Sequence, residues 1–86
     1  MDINEFKTII KKEKMVFGTE RTTKLLKLGK VKHVFLAKNC PERVQKEIMY
    51  YAKLAKIDAS VVNKTNEELG VLCKKQFSIS VLCQGT

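Results

Sequence analysis

A three-layer α/β domain is the fold class this chain predicts. Three observations point to it. Short apolar runs of strand length alternate with longer segments whose apolar residues recur at helical spacing. Helix caps and helix stops fall between them. No linker, internal repeat or low-complexity segment interrupts the 86 residues, a length that suits one small domain spanning 1–86.

The first helix has Asp2 as a candidate cap, with Glu5 at the reciprocal position of a capping box. Ile3, Phe6 and Ile10, with Ile9 beside them, give it one apolar stripe. Lys11, Lys12 and Lys14 lie near its C-terminal end, where cations suit the helix dipole. Met15-Val16-Phe17 reads as a short strand. A second helix is expected from Thr19 to Leu28, with Leu25 and Leu28 inward, Leu26 alongside and Gly29 as its stop. His33-Val34-Phe35-Leu36-Ala37 is a continuous apolar run, which suits a strand covered on both faces. Pro41 sits well at the first turn of a third helix. That helix carries Val44, Ile48, Tyr51 or Ala52, and Ala55 on one face, and Tyr50 and Tyr51 read as packing residues. Ala59-Ser60-Val61-Val62 is the next strand. Thr65 and Glu68 hold the two positions of a capping box that opens a short fourth helix through Leu69 and Leu72. Phe77-Ser78-Ile79-Ser80-Val81-Leu82 is the last strand, with Ser78 and Ser80 on a part-solvated face.

Composition narrows the partners. Seventeen Lys and Arg against nine Asp and Glu give a formal net charge of +8, with the lysines spread along the chain. Such an excess favours polyanions: RNA, DNA or an acidic membrane surface. No run approaches the ~18–20 apolar residues that span a bilayer. The acidic start Met1-Asp2-Ile3-Asn4-Glu5 has no apolar core of a secretory signal. Cys40, Cys73 and Cys83 form no CxxC pair and are odd in number, which reads as reduced, part-buried thiols in a cytoplasm. His33 has no neighbouring His or paired Cys and reads as a structural imidazole. No nucleophile triad, HExxH motif or phosphate loop occurs, so the chain is not expected to be an enzyme. No cofactor, metal or small-molecule substrate is implied.

The stretch Gly18-Thr19-Glu20-Arg21-Thr22-Thr23-Lys24 carries the most chemistry. Gly18 ends an apolar run just where a helix should begin. A helix start leaves backbone N–H groups unpaired and carries partial positive charge, so it suits phosphate. Its residues, and Lys27, Asn39 and Phe77 further along the chain, also admit plainer roles. Gly18 can be a turn glycine, Arg21, Lys24 and Lys27 a solvated face, Asn39 a cap for the third helix, and Phe77 core at a strand start.

A set of markers follows in order along the chain: Val16-Phe17-Gly18 with Arg21 and Lys24, then Leu28-Gly29-Lys30-Val31-Lys32, then Leu36-Ala37-Lys38-Asn39-Cys40-Pro41. Glu47-Ile48-Met49-Tyr50-Tyr51-Ala52 and Glu68-Leu69-Gly70 complete it. In this order the chain resembles the ribosomal L7Ae/L30e family over nearly its whole length, and its L30e branch most of all. The resemblance implies an α/β/α sandwich with a central four-stranded mixed sheet. It implies RNA binding at kink-turns or related internal loops, where sheared G·A pairs lie beside a sharp bend and an extruded nucleotide.

By the same resemblance the RNA-binding residues are Gly18, Thr19, Glu20, Arg21, Lys24 and Lys27 around the second helix, Lys38 and Asn39 after the second main strand, and Lys74, Lys75 and Phe77 before the last strand. General kink-turn binders of the family usually carry Asn-Glu where this chain has Glu20-Arg21. Glu20 accepts from a guanine but cannot donate as Asn does. Arg21 reverses a charge and suits phosphate or a guanine edge. The family usually has Gly at the position of Lys74, so this lysine must either take a left-handed backbone or give the loop another shape. An aromatic at Phe77 can stack on an unpaired base, worth roughly 1–3 kcal/mol.

The resemblance thus implies a non-catalytic component of the large ribosomal subunit, in the cytoplasm, with rRNA or a kink-turn RNA as partner and no membrane. A stand-alone kink-turn binder of other RNA–protein particles is the alternative, and the Glu20-Arg21 pair argues against it. A protein-interaction module of the same fold is disfavoured by the net charge of +8.

Overall fold

The computed structural model describes residues 3–12 and 15–85, with the backbone alone for Ile3 and Lys12. The order is α1 (Ile3–Lys12), β1 (Met15–Phe17), α2 (Thr19–Leu28), β2 (Val31–Ala37), α3 (Glu42–Leu54), β3 (Asp58–Val62), α4 (Asn66–Leu72) and β4 (Val81–Gly85). The strands form one mixed sheet in the order β1-β4-β2-β3. β2 and β3 are parallel, and β4 runs antiparallel to both β1 and β2. The expected four-stranded α/β architecture is present.

The side-chain alternation of β2 and β4 divides the core between the two faces of the sheet. Val34 and Leu36 with Val81 and Cys83 face Leu26 of α2 and Ile48 and Ala52 of α3. Phe35 and Ala37 with Leu82 face Phe6 of α1 and Leu69 of α4. Phe6 and Phe35 meet edge to face, with ring centroids 5.1 Å apart. The run from Val34 to Ala37 is apolar throughout because helices cover both sides of it.

Local signals set most boundaries. Gly29 closes α2 with a left-handed backbone (φ 70°), and the Lys30 amide donates to Leu25 O at 3.0 Å. The Thr65 hydroxyl accepts from the Glu68 amide at 3.2 Å, and the Thr65 amide donates to Glu68 Oε1 at 3.0 Å. These contacts hold the Glu68 carboxyl below its ordinary value, the hydrogen bonds from Thr65 being the main cause. His33 is structural: its Nε2 lies 2.9 Å from Ser60 Oγ, and its ring stacks on Phe35 at 4.5 Å.

Several expectations need correction. Leu28 is exposed and Leu26 is the buried leucine of α2, because the inward stripe follows Thr22 and Leu26 one turn apart. Tyr50 is also exposed, while Tyr51 packs against the α2/α3 core. The last strand begins at Val81 rather than Phe77. Residues 77–80 run along α4 from Gly70 to Asn66 instead, so Ser78 and Ser80 are not on a strand face. Gly70 has no side chain, and the Phe77 carbonyl occupies the space a Cβ there would need. The Ile79 amide then donates to Asn66 O, and the Ala37 amide to Ser80 O, both at 2.9 Å. The cap expected at Asp2 and the cation at Lys14 lie outside the described residues.

Candidate nucleic-acid interface

Strand direction gathers three segments at one edge of the sheet. β1 and β2 end where β4 begins: Phe17 pairs with Leu82, and Leu36 with Val81. The start of α2, the loop after β2 and the segment before β4 therefore share that edge. The Gly18 amide donates to Val81 O at 3.0 Å and ties the start of α2 to the start of β4.

Gly18 is the N-cap of α2, with φ 107° and ψ 148° and no side-chain cap. That conformation is open to glycine and strained for other residues. Its lack of a side chain leaves the first-turn amides without an internal cap. Beside it lies a groove of about 460 Å³. Phe17, Gly18, Thr19 and Arg21 line one side, and Lys75, Phe77 and residues 78–81 the other. The charged groups lining it, Arg21 and Lys75, are both cations. Phe77 is 58% exposed, so its ring stands at the groove and not in the core.

Glu20, Lys24 and Lys27 fall on the adjoining flank of α2. They line a second groove of about 570 Å³ against α3, with Thr19, Thr23, Arg43 and Glu47. Thr19 belongs to both grooves. The Lys27 ammonium also lies 5.1 Å from the Tyr51 ring centroid, a cation–π distance.

Lys38 is exposed, and its amide donates to Lys64 O at 2.9 Å. Asn39 does not cap α3, whose N-cap is Pro41 without a side-chain hydrogen bond. Asn39 bonds instead to Asn66 at the start of α4. Its Nδ2 donates to Asn66 Oδ1 at 3.1 Å, and its Oδ1 accepts from the Asn66 amide at 2.8 Å. One N–H and one lone pair of the exposed Asn39 amide remain for another partner. The Asn66 side chain also donates to Ser80 Oγ at 3.5 Å. Asn66 thereby joins the loop after β2 to the segment before β4.

Lys74 adopts a left-handed backbone, φ 58°. Its amide donates to Val71 O at 3.0 Å and the Lys75 amide to Gly70 O at 2.9 Å, the pattern of a Schellman closure. Lys74, Lys75 and Phe77 thus follow directly from the end of α4. Sequence reasoning missed two residues of this edge. Asn66 appears in the sequence only as part of a capping box. Arg43 is visible only as a helix-start cation, since nothing local places it opposite Lys24.

This is an α/β/α sandwich with a loop-built basic edge, and comparison with known proteins identifies the family. The model of the ribosomal protein L7Ae/L30e/S12e/Gadd45 family matches residues 4–85, and the chain belongs to that family. It is 39% identical to large ribosomal subunit protein eL30 of Sulfurisphaera tokodaii over 79 residues, which cover 92% of this chain and 74% of that protein. It is 43% identical to eL30 of Methanothermobacter thermautotrophicus, over 79% of this chain and 69% of that one. For eL30 of Methanocaldococcus jannaschii the identity is 37%, over 95% and 76%. A solved structure of a protein with unknown function from Bacillus halodurans C shares the fold, with a TM-score of 0.77 at 21% identity, covering 84% of this chain and 71% of that one. The relatives are ribosomal proteins by name, in keeping with the expectation of a non-enzymatic chain. No helix among the described residues is long and apolar enough to cross a membrane.

Proposed function

We propose that this chain is a structural RNA-binding protein of the large ribosomal subunit, and that it recognises a bent internal loop of kink-turn type. One observation carries the reading: Gly18, Arg21, Asn39, Lys75 and Phe77, distant in sequence, belong to segments that meet at one edge of the sheet. The names of the relatives support the ribosomal setting.

The chemistry follows from the parts. A sharp bend crowds phosphates, and Arg21, Lys24, Lys38 and Lys75 supply cations to neutralise them. The uncapped start of α2 offers amides to a phosphate that Gly18 allows to come close. Phe77 offers an exposed ring to an unstacked base, and Asn39 a free donor and acceptor to a base edge. Specific RNA recognition works on such unstacked bases rather than on the deep groove of a duplex. Crosslinking in a cell lysate, followed by sequencing of the attached RNA, tests the reading. Crosslinks should concentrate at one internal loop of large-subunit rRNA. Crosslinks scattered over many unrelated RNAs would contradict it.

A further inference from the structure

A third groove, of about 470 Å³, lies between α1, β1 and the end of α4. Ile10, Met15, Phe17 and Leu72 make its surface apolar. Among the described residues its charged groups are Lys7, Lys11, Lys74 and Lys75, and none of the described lining is acidic. None of these lysines is in an ion pair among the described residues. Lys7 and Lys11 stand one turn apart on the same face of α1, a like-charge pair that weakens an isolated helix. Lys74 holds a left-handed backbone that glycine would adopt without strain. The Lys75 ammonium lies 5.0 Å from the Phe17 ring centroid. Cations without an ion-pair partner among the described residues, set around an apolar floor, fit an anion with a flat apolar body.

We infer that this groove binds single-stranded RNA continuing from the bent loop, with a base on the apolar floor and flanking phosphates on Lys7 and Lys11. RNA is the occupant because the groove adjoins the one beside α2: Phe17 and Lys75 line both. A strand leaving Arg21 and Phe77 would pass over Lys75 into it. The inference rests on the RNA-binding reading above and extends the footprint to α1, which that reading does not use.

The test compares one kink-turn RNA with and without a short single-stranded tail, using the parent chain and the double variant Lys7→Ala, Lys11→Ala. The variant should bind the tailed RNA several-fold more weakly and the trimmed RNA as the parent does. Its salt slope on the tailed RNA should be shallower by about 1.4, ~0.7 for each single-strand phosphate released. Cys73 gives a second readout without mutation. It lines the groove and is partly exposed, whereas Cys40 and Cys83 are buried. Tailed RNA should slow its alkylation and trimmed RNA should not. Equal binding of the tailed RNA by both proteins, with Cys73 unprotected, would overturn the inference while leaving the primary interface standing. Failure of the parent chain to bind either RNA would overturn the RNA-binding reading and this extension with it. Anionic phospholipid vesicles bound by the parent and lost in the variant, with tailed RNA unaffected, would assign the groove to a membrane surface and refute it.

Discussion

Gly18 and Gly70 are both needed by this chain, for different physical reasons. Gly18 has open space where a Cβ would sit, so the cost of a side chain there is conformational. Gly18→Ala should lower stability by about 1–3 kcal/mol, as for other residues held in glycine-only backbone. Gly70 has an ordinary backbone, and a Cβ would strike the Phe77 carbonyl. Gly70→Ala should therefore shift residues 77–80 and move Phe77 away from Arg21. Urea unfolding together with amide shifts separates the cases: Gly18→Ala changes stability with local shifts, whereas Gly70→Ala displaces the whole segment before β4. His33 sets an acid sensitivity. Burial pushes its imidazole below the ordinary value of 6.5, and Asp58 only partly opposes this. The unfolded chain then binds a proton at a pH where the folded chain does not. Stability should fall as pH drops from about 6.5 through the lowered folded value, then level off. His33→Gln should flatten that part of a pH-dependent unfolding curve.

Among the elements, helix ends are legible in the sequence wherever the cap is local. Thr65 with Glu68, and Gly29 after Leu28, announce their boundaries within one turn of chain. The start of β4 is not legible. Phe77, Ile79 and Val81 alternate as in a strand, but Gly70 and Asn66 capture residues 77–80 from a distance. The inward face of α2 is hidden for a related reason: whether Leu25, Leu26 or Leu28 turns inward depends on where β4 and α3 lie. Among the described residues two helix ends carry lysine in the left-handed position usual for glycine, Lys56 at φ 57° and Lys74 at φ 58°. Glycine at either site should raise stability by about 1 kcal/mol. Lys74→Gly should also weaken RNA binding, and Lys56→Gly, after α3, should not. Paired denaturation and binding curves for the two variants measure this. An equal effect of both on RNA would remove Lys74 from the interface.

Over the whole molecule, a topology of three strands in one direction and one in the other turns scattered residues into one edge. The family resemblance singles out Gly18, Lys38, Asn39 and Phe77 from their places in the chain. Their relation through Val81, Ser80 and Asn66 depends on the sheet order, which no local pattern contains. The residues of α2 are divided: Arg21 faces one groove, Glu20, Lys24 and Lys27 another, with Thr19 between them. Binding should weaken steeply with salt, because phosphate contacts dominate. Amide shifts during titration with a kink-turn RNA, against a straight duplex of the same composition, probe the edge as a unit. The largest changes should fall on residues 18–24, 38–39 and 75–80, with the kink-turn bound more tightly than the duplex. Equal affinity for the two RNAs, or changes centred on the exposed Tyr50 and Leu54 face of α3, would mean that the edge of the sheet is not where this protein holds RNA.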